Sequence, residues 1–234
     1  MASSGSVLKS ALFQKIVMAV TGLVLFGFVL GHMAGNLKLF LPIYADGPHA
    51  GQYPIDVYAH WLREIGTPAL PHGAALWIAR AVLILAVLLH IASALAVTRR
   101  NRAARPEGYR VKKTLQADYA SRTMRWGGFI ILFYVFYHLA HLTFGGAHHD
   151  FVPGAVHHNL VSGFSIWWVS AIYMVANLAL GFHLYHGLWS FFQTLGWAHP
   201  NFGFARRIFA AVFATVVTLG NLSFPLAVLA GWVA

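Results

Sequence analysis

The chain has 234 residues, of which 59% are apolar and only 9% are Asp, Glu, Lys or Arg, and its formal net charge is +10. Soluble domains carry about 25% charged residues, so this composition excludes a soluble globular protein. The net charge therefore indicates loops that orient a membrane protein, not nucleic-acid binding. The lack of cysteine excludes disulfides, thiolate metal sites and cysteine-ligated iron–sulfur clusters on this chain.

Five apolar runs, each near or above the roughly 20 residues that cross a bilayer, predict a single membrane domain over residues 1–234. The first span covers about 12–39 and carries His32, and it is too long for the apolar region of a cleavable signal peptide. Its glycines at every fourth position would let a neighbouring backbone or a flat cofactor approach closely: Gly27, Gly31 and Gly35.

A polar segment rich in proline and glycine follows, with a short amphipathic surface helix predicted around 56–65. The second span, about 74–97, contains Arg80 and His90. The third, about 126–144, carries His138 and His141, and the fourth, about 165–192, carries His183 and His186. The fifth, about 208–232, has no histidine, so we predict a packing helix.

The basic residues are distributed unevenly between the two sides of a five-span chain. The N-terminal segment, the loop from Arg99 to Arg125 and the pair at 206–207 place 13 of the 16 Lys and Arg residues on one side. By the positive-inside rule, the N-terminus and the 99–125 loop are predicted to be cytoplasmic.

The intramembrane histidines fall at two depths. With a rise of about 1.5 Å per residue, His32 and His138 lie in the outer half of the membrane, because both of their spans run outward. His90 and His183 lie in the inner half, on spans that run inward. Each depth therefore receives one histidine from each of two helices.

Such pairs predict two b haems stacked in the bundle, because a low-spin haem takes one imidazole on each face of its iron. His141 and His186 each follow a ligand candidate by three residues, and we expect them to bond a propionate or a backbone carbonyl. The alternative is that intramembrane histidines only form hydrogen bonds between helices.

Three further features each have two interpretations. Arg80 is interpreted either as a counter-ion to outer haem propionates or as a side chain that extends to the outer headgroups. Glu64 is interpreted either as the acceptor of a proton from a quinol or as a surface carboxylate at the edge of the membrane. The histidines at 148–149 and 157–158 are solvated loop residues, with adventitious metal binding as the alternative.

Four segments resemble the membrane cytochrome b subunit of succinate:quinone oxidoreductases, of the five-helix, di-haem, single-anchor type. They are KIVMAVTGLVLFGFVLGHMAGNL, LLHIASAL, FYHLAHLTFG and HLYHGLWSFFQTLG, in this order along nearly the whole chain. The resemblance implies an all-α bundle of five membrane helices around two stacked haems. It also implies that His32 and His138 bind the distal haem and that His90 and His183 bind the proximal one.

The resemblance further implies partners for this subunit of a succinate dehydrogenase or quinol:fumarate reductase. A flavoprotein and an iron–sulfur protein would dock on the cytoplasmic face of a bacterial inner membrane. A membrane quinone would react near the distal haem, with menaquinone favoured over ubiquinone.

Two other functions compete with this one. A di-haem subunit of another respiratory enzyme usually has four spans, so the fifth span argues against it. A transporter that uses histidines for protons or a transition metal would more naturally carry intramembrane carboxylates, and none of the five predicted spans contains one.

Overall fold

The computed structural model describes residues 10–104, 116–197 and 199–234, and within them the regular secondary structure is entirely helical. The α-helices are α1 (Ala11–Asn36), α2 (Pro54–Glu64), α3 (Ala74–Ala103), α4 (Gln116–His138), α5 (Val156–Phe164), α6 (Trp167–Thr194) and α7 (Gly203–Leu229). A 3-10 turn, Leu37–Phe40, extends α1, and a π-helical turn, Leu139–Thr143, extends α4.

Five of these helices are long and apolar enough to cross a membrane. The spans are Ala11–Phe40, Ala74–Ala103, Met124–Thr143, Trp167–Thr194 and Gly203–Leu229, with 20 to 30 residues each and mean hydropathies from 1.3 to 2.5. At about 1.5 Å per residue, the shortest span matches the roughly 30 Å hydrocarbon core. The prediction of five membrane-crossing helices is confirmed at this level of length and composition.

The ends of the helices differ from the predicted spans where charged residues begin. α3 continues to Ala103 instead of ending near residue 97, because Arg99, Arg100 and Arg102 are good helix formers that extend the helix beyond its apolar part. α7 starts at Gly203, before the predicted residue 208. Lys9 and residues 105–115 of the predicted basic loop lie outside the described residues.

Helix α6 is central to the bundle. It packs against α4 on one side and α7 on the other, while α1 packs against α3 and also touches α6 and α7. One buried apolar cluster lies at the end of the bundle where α2 and α5 are attached, and a second joins α1, α6 and α7 further along. By contrast, α3 buries only Ala86 and Ser93.

The glycine repeat of α1 does not bring a second backbone close within the described residues. A Cβ at Gly27 or Gly31 would have open space around it, whereas one at Gly35 would lie 2.7 Å from a ring carbon of Tyr58. Close helix packing uses other glycines instead, since a Cβ at Gly181 would overlap the hydroxyl of Thr218.

Two short helices cover one end of the bundle. The amphipathic helix predicted around 56–65 is observed as α2. The segment predicted as a solvated His-rich loop instead contains α5, whose first turn is capped from outside, since the backbone N–H of His157 donates to Asp56 Oδ1 at 2.8 Å.

The prediction of solvated histidines in this segment is wrong for His157. Its side chain is buried, and its ring stacks on Tyr53 with centroids 3.4 Å apart. His149 and His158 are exposed, and His158 pairs with Asp150 at 3.0 Å. The residues around position 157 could not predict this burial, because its cause is Tyr53 at the start of α2, about one hundred residues earlier in the sequence.

Candidate functional site

The first pair of histidines joins α1 and the end of α4. The ring centroids of His32 and His138 lie 5.9 Å apart, with an angle of 83° between the ring planes. Phe28 stacks on His32 one turn before it, and Tyr134 lies beside His138 in the same way on α4. The two imidazoles therefore lie next to each other between α1 and α4, and each has an aromatic ring beside it.

The second pair joins α3 and α6. The ring centroids of His90 and His183 lie 6.2 Å apart, with an interplanar angle of 63°. A first-row metal ion held about 2 Å from the nitrogens of two imidazoles on opposite sides of it places the ring centres about 6 Å apart. Both pairs have about this separation, so each pair has the spacing that would hold one metal ion between two imidazoles.

The two histidine pairs lie at different levels of the bundle. The distance between the two levels is nearly the same whether it is measured along α1 or along α6. On α1, Thr21 contacts His90 and His32 contacts His138, and these positions differ by eleven residues, which is about 16 Å along a helix. On α6, Tyr173 contacts His138 and His183 contacts His90, a difference of ten residues or about 15 Å.

His90 contacts the hydroxyl of Thr21 on α1. The Thr21 hydroxyl lies 2.7 Å from the carbonyl oxygen of Val17 and 3.2 Å from Nδ1 of His90. With the hydroxyl proton on the shorter bond, the Thr21 oxygen can accept Nδ1–H of His90, and the lone pair is then on Nε2, the nitrogen that a metal ion would take. Hydrogen bonds of this kind orient histidine ligands and increase their basicity.

Tyr173 makes the corresponding contact in the first pair, and it also reaches His141. Its hydroxyl lies 3.3 Å from Nδ1 of His138 and 3.0 Å from Nδ1 of His141. The π-helical turn that begins after His138 widens the helix here, with Phe144 N–H bonded to the carbonyl of Leu139. π-Helical turns of this kind occur frequently at functional sites.

His141 is fully enclosed. It is 1% exposed, its ring stacks on His148 at 4.6 Å, and it lies against the backbone of α5 at Gly163, where a Cβ would come within 2.8 Å of its Cε1. The sequence predicted that His141 would bond a propionate or a backbone carbonyl. The observed partner of Nδ1 is the side-chain hydroxyl of Tyr173.

Three other intramembrane histidines have a ring nitrogen with no hydrogen bond or only a weak one. Nδ1 of His183 and Nδ1 of His186 are buried without a hydrogen-bond partner in the described part of the chain. Nε2 of His32 accepts from the amide of Asn36 at 3.4 Å, a long and weak bond that a stronger partner would displace.

Arg80 and Glu64 lie outside both pairs. The guanidinium of Arg80 lies 4.7 Å from the ring centre of Trp77, a side chain that is 66% exposed, and this contact favours the interpretation of Arg80 as a residue of the membrane surface. Glu64, at the end of α2, pairs with His72 at 2.9 Å, and both side chains are exposed. This is the arrangement expected for a surface carboxylate.

An apolar groove of about 530 Å³ lies between α4 and α6 beside the first pair. It is lined by Ile130, Phe133, Tyr134, Tyr137, Ala171, Ile172, Val175 and Ala176. The hydroxyl of Tyr137, adjacent to His138 in sequence, is buried and has no hydrogen-bond partner among the described residues. Phe133 and Val175 are exposed at its edge, so the groove opens on the outer surface of the bundle.

Sequence reasoning did not identify Thr21 and Tyr173 as site residues. A helical period would have found Thr21, because it precedes His32 by three turns and so shares its face of α1. The polar hydroxyl of Tyr173 within an apolar run was a weaker signal, since tyrosines are also common at membrane interfaces.

No group of three or more His, Asp or Glu side chains suited to a metal ion is found in residues 10–104, 116–197 and 199–234. Comparison of the chain with protein-family models, characterised proteins and solved structures finds no match.

Proposed function

We propose that the chain is the membrane-anchor cytochrome b subunit of a succinate:quinone oxidoreductase. In this role it passes electrons between an iron–sulfur protein at the cytoplasmic face and a membrane quinone through two b haems. The observation that carries the proposal is the geometry of the histidines: two pairs, each with ring centres about 6 Å apart, at two levels of one bundle.

Each pair would supply two imidazole nitrogens to the iron of one b haem. His32 and His138 would hold the distal haem, and His90 and His183 the proximal one. A b haem held by two imidazoles would supply reversible one-electron transfer. The hydroxyls of Thr21 and Tyr173 orient one ligand in each pair.

The groove between α4 and α6 is our candidate for the quinone site. It borders Tyr134, whose ring contacts His138, so a quinone ring there would lie next to the distal pair. An apolar groove that opens to lipid suits an isoprenoid quinone, which reaches its site through the membrane. Tyr137 lines the groove, and its hydroxyl, which is buried without a hydrogen-bond partner among the described residues, is our candidate donor to a quinone carbonyl.

The orientation of the subunit follows the distribution of basic residues. Arg99, Arg100 and Arg102 lie at the end of α3, and Arg206 and Arg207 lie at the start of α7, at the same end of the bundle. By the positive-inside rule this end is cytoplasmic. The partner subunits would therefore dock on the face of the bundle that is nearer to His90 and His183 than to His32 and His138.

The test is to purify the full chain from its native membrane with its co-purifying partners, and to measure haem as the pyridine haemochrome together with covalently bound and free flavin. Two b haems per chain and a flavoprotein that oxidises succinate are expected. Two haems without flavin would instead indicate a di-haem subunit of another respiratory enzyme. A preparation that lacks haem but transports protons or a transition metal would indicate a transporter.

A further inference from the structure

The hydroxyl of Tyr173 stands between two imidazole nitrogens and has one proton to donate. It lies 3.3 Å from Nδ1 of His138 and 3.0 Å from Nδ1 of His141. When both contacts are hydrogen bonds, the hydroxyl donates to one nitrogen and accepts an N–H from the other. The tautomers of the two rings are then linked through a single hydroxyl.

Only one direction of the hydrogen bonds from His138 through Tyr173 to His141 suits a metal ligand at His138. For Nε2 to present its lone pair, Nδ1 of His138 must carry the ring proton and donate it to the Tyr173 oxygen. The Tyr173 proton must then go to Nδ1 of His141. In the opposite direction Nδ1 of His138 would be the acceptor, its proton would lie on Nε2, and the metal-binding lone pair would be lost.

The surroundings hold the three groups in place. Tyr173 is 3% exposed and packs edge-on against the rings of Tyr134 and Phe164. His141 is 1% exposed and fits against Gly163, where no side chain larger than hydrogen leaves it room. A hydrogen-bonded chain within such a rigid, water-poor environment is worth more than its separate bonds, because each bond polarises the next.

We infer that His141 is a positioning residue that acts through Tyr173 to set the tautomer and the electron donation of His138. This inference rests on the proposed function, because it concerns His138 as an axial ligand. It assigns to His141 a different task from a bond to a haem propionate. The distinction is testable, because a relay through Tyr173 requires that His141 has no effect once the hydroxyl is removed.

The experiment is a redox titration of the two haems in the purified complex, for wild type, Tyr173→Phe, His141→Leu and the double variant. Tyr173→Phe removes the acceptor of Nδ1–H, weakens electron donation to the ferric iron and raises the midpoint potential of one haem only. We expect a change of about tenfold in its ferric-to-ferrous ratio at fixed solution potential, about 59 mV for a one-electron couple. His141→Leu is expected to shift the same haem in the same direction by a smaller amount.

The double variant is expected to equal Tyr173→Phe alone, because its two changes break one chain. Additive shifts would overturn the inference, and so would unchanged potentials in Tyr173→Phe. His141→Asn retains an acceptor near the position of Nδ1 and should restore the wild-type potential, so an Asn variant that behaves like Leu would also overturn it. His141→Met provides a second side chain without a strong acceptor if the Leu variant does not assemble with two haems.

If the proposed function itself is wrong, the same experiment gives a different result. A wild-type complex without b haem would refute the cytochrome assignment before any variant is compared. A wild-type complex with two haems, followed by unchanged potentials in the variants, would refute only the role of Tyr173 and His141.

Discussion

Thr21 Oγ1 lies 3.2 Å from Nδ1 of His90, and its own proton is donated to the carbonyl of Val17, one turn earlier on the same helix. A threonine hydroxyl bonded to the carbonyl four residues before it is common in helices. With the hydroxyl proton on that bond, the Thr21 oxygen can only accept, which favours the His90 tautomer with its ring proton on Nδ1. In the proposed function, a local backbone contact on α1 would thus orient a ligand on α3.

We therefore predict that Thr21→Val, which keeps the branched shape but removes the hydroxyl, weakens retention of the proximal haem. Loss of a hydrogen bond to a histidine ligand typically costs about 10-fold to 100-fold in affinity. The measurement is the rate of haem transfer from the purified complex to an excess of a haem-accepting protein. Thr21→Ser keeps the hydroxyl and is the matched control. Equal rates for the Val and Ser variants would contradict the role of Thr21.

The four proposed ligands should separate into two independent sets. Alanine at His32 or His138 is expected to remove one haem, and alanine at His90 or His183 the other, because each removes one of only two axial nitrogens. The measurement is haem per chain together with the low-temperature absorption bands, which should show a different band missing in each set. His149→Ala, at an exposed position outside both pairs, is the control. A single substitution that removed both haems without unfolding the protein would argue against separate sites.

The sequence predicted much of this arrangement because the membrane restricts what a helix can do. A long apolar run must form a helix, its rise sets the depth of each residue, and the alternation of spans sets the direction. These rules were enough to expect His32 near His138 and His90 near His183. They required no knowledge of which helices are neighbours in the bundle.

The parts that the sequence did not predict depend on contacts between distant segments. The helix α5 was missed because its first turn is capped by Asp56 on α2, and no residue within the segment itself provides a cap. Tyr173 was missed because its role arises from the π-helical turn after His138, which brings His141 to the same hydroxyl. A residue pattern with a fixed helical period does not contain either contact.

Filling the groove between α4 and α6 should impair the reaction with quinone. Ala171→Trp places an indole in the groove and is expected to lower the rate of succinate:quinone reductase activity at least about tenfold, the effect of about 1.4 kcal/mol. Both haems should remain and should still be reduced by dithionite. Phe182→Trp puts the same side chain on a 65% exposed position of α6 that does not line the groove, about three turns after Ala171, and should have little effect. Full activity in the Ala171→Trp variant would exclude the groove as the quinone site.

His157, buried between the short helices α2 and α5, should make the stability of the protein depend on pH. Burial lowers the pKa of His157 below its ordinary value of 6.5, with a smaller contribution from His158, and Asp56 opposes the shift. The unfolded chain then binds a proton that the folded chain does not, so stability falls as the pH is lowered below about 6.5 toward the folded pKa. We expect the apparent melting temperature in detergent to fall over this range in wild type. The fall should be smaller in His157→Phe, whose ring can still stack on Tyr53.

Asp56→Asn provides the opposite change in the same contact. Its amide oxygen can still accept the backbone N–H of His157, but the negative charge that raises the pKa of His157 is gone. The folded pKa therefore drops further, and the loss of stability below about pH 6.5 should be larger than in wild type. Because the Phe and Asn variants are expected to move the same pH dependence in opposite directions, a parallel fall in all three proteins would show that another group is responsible.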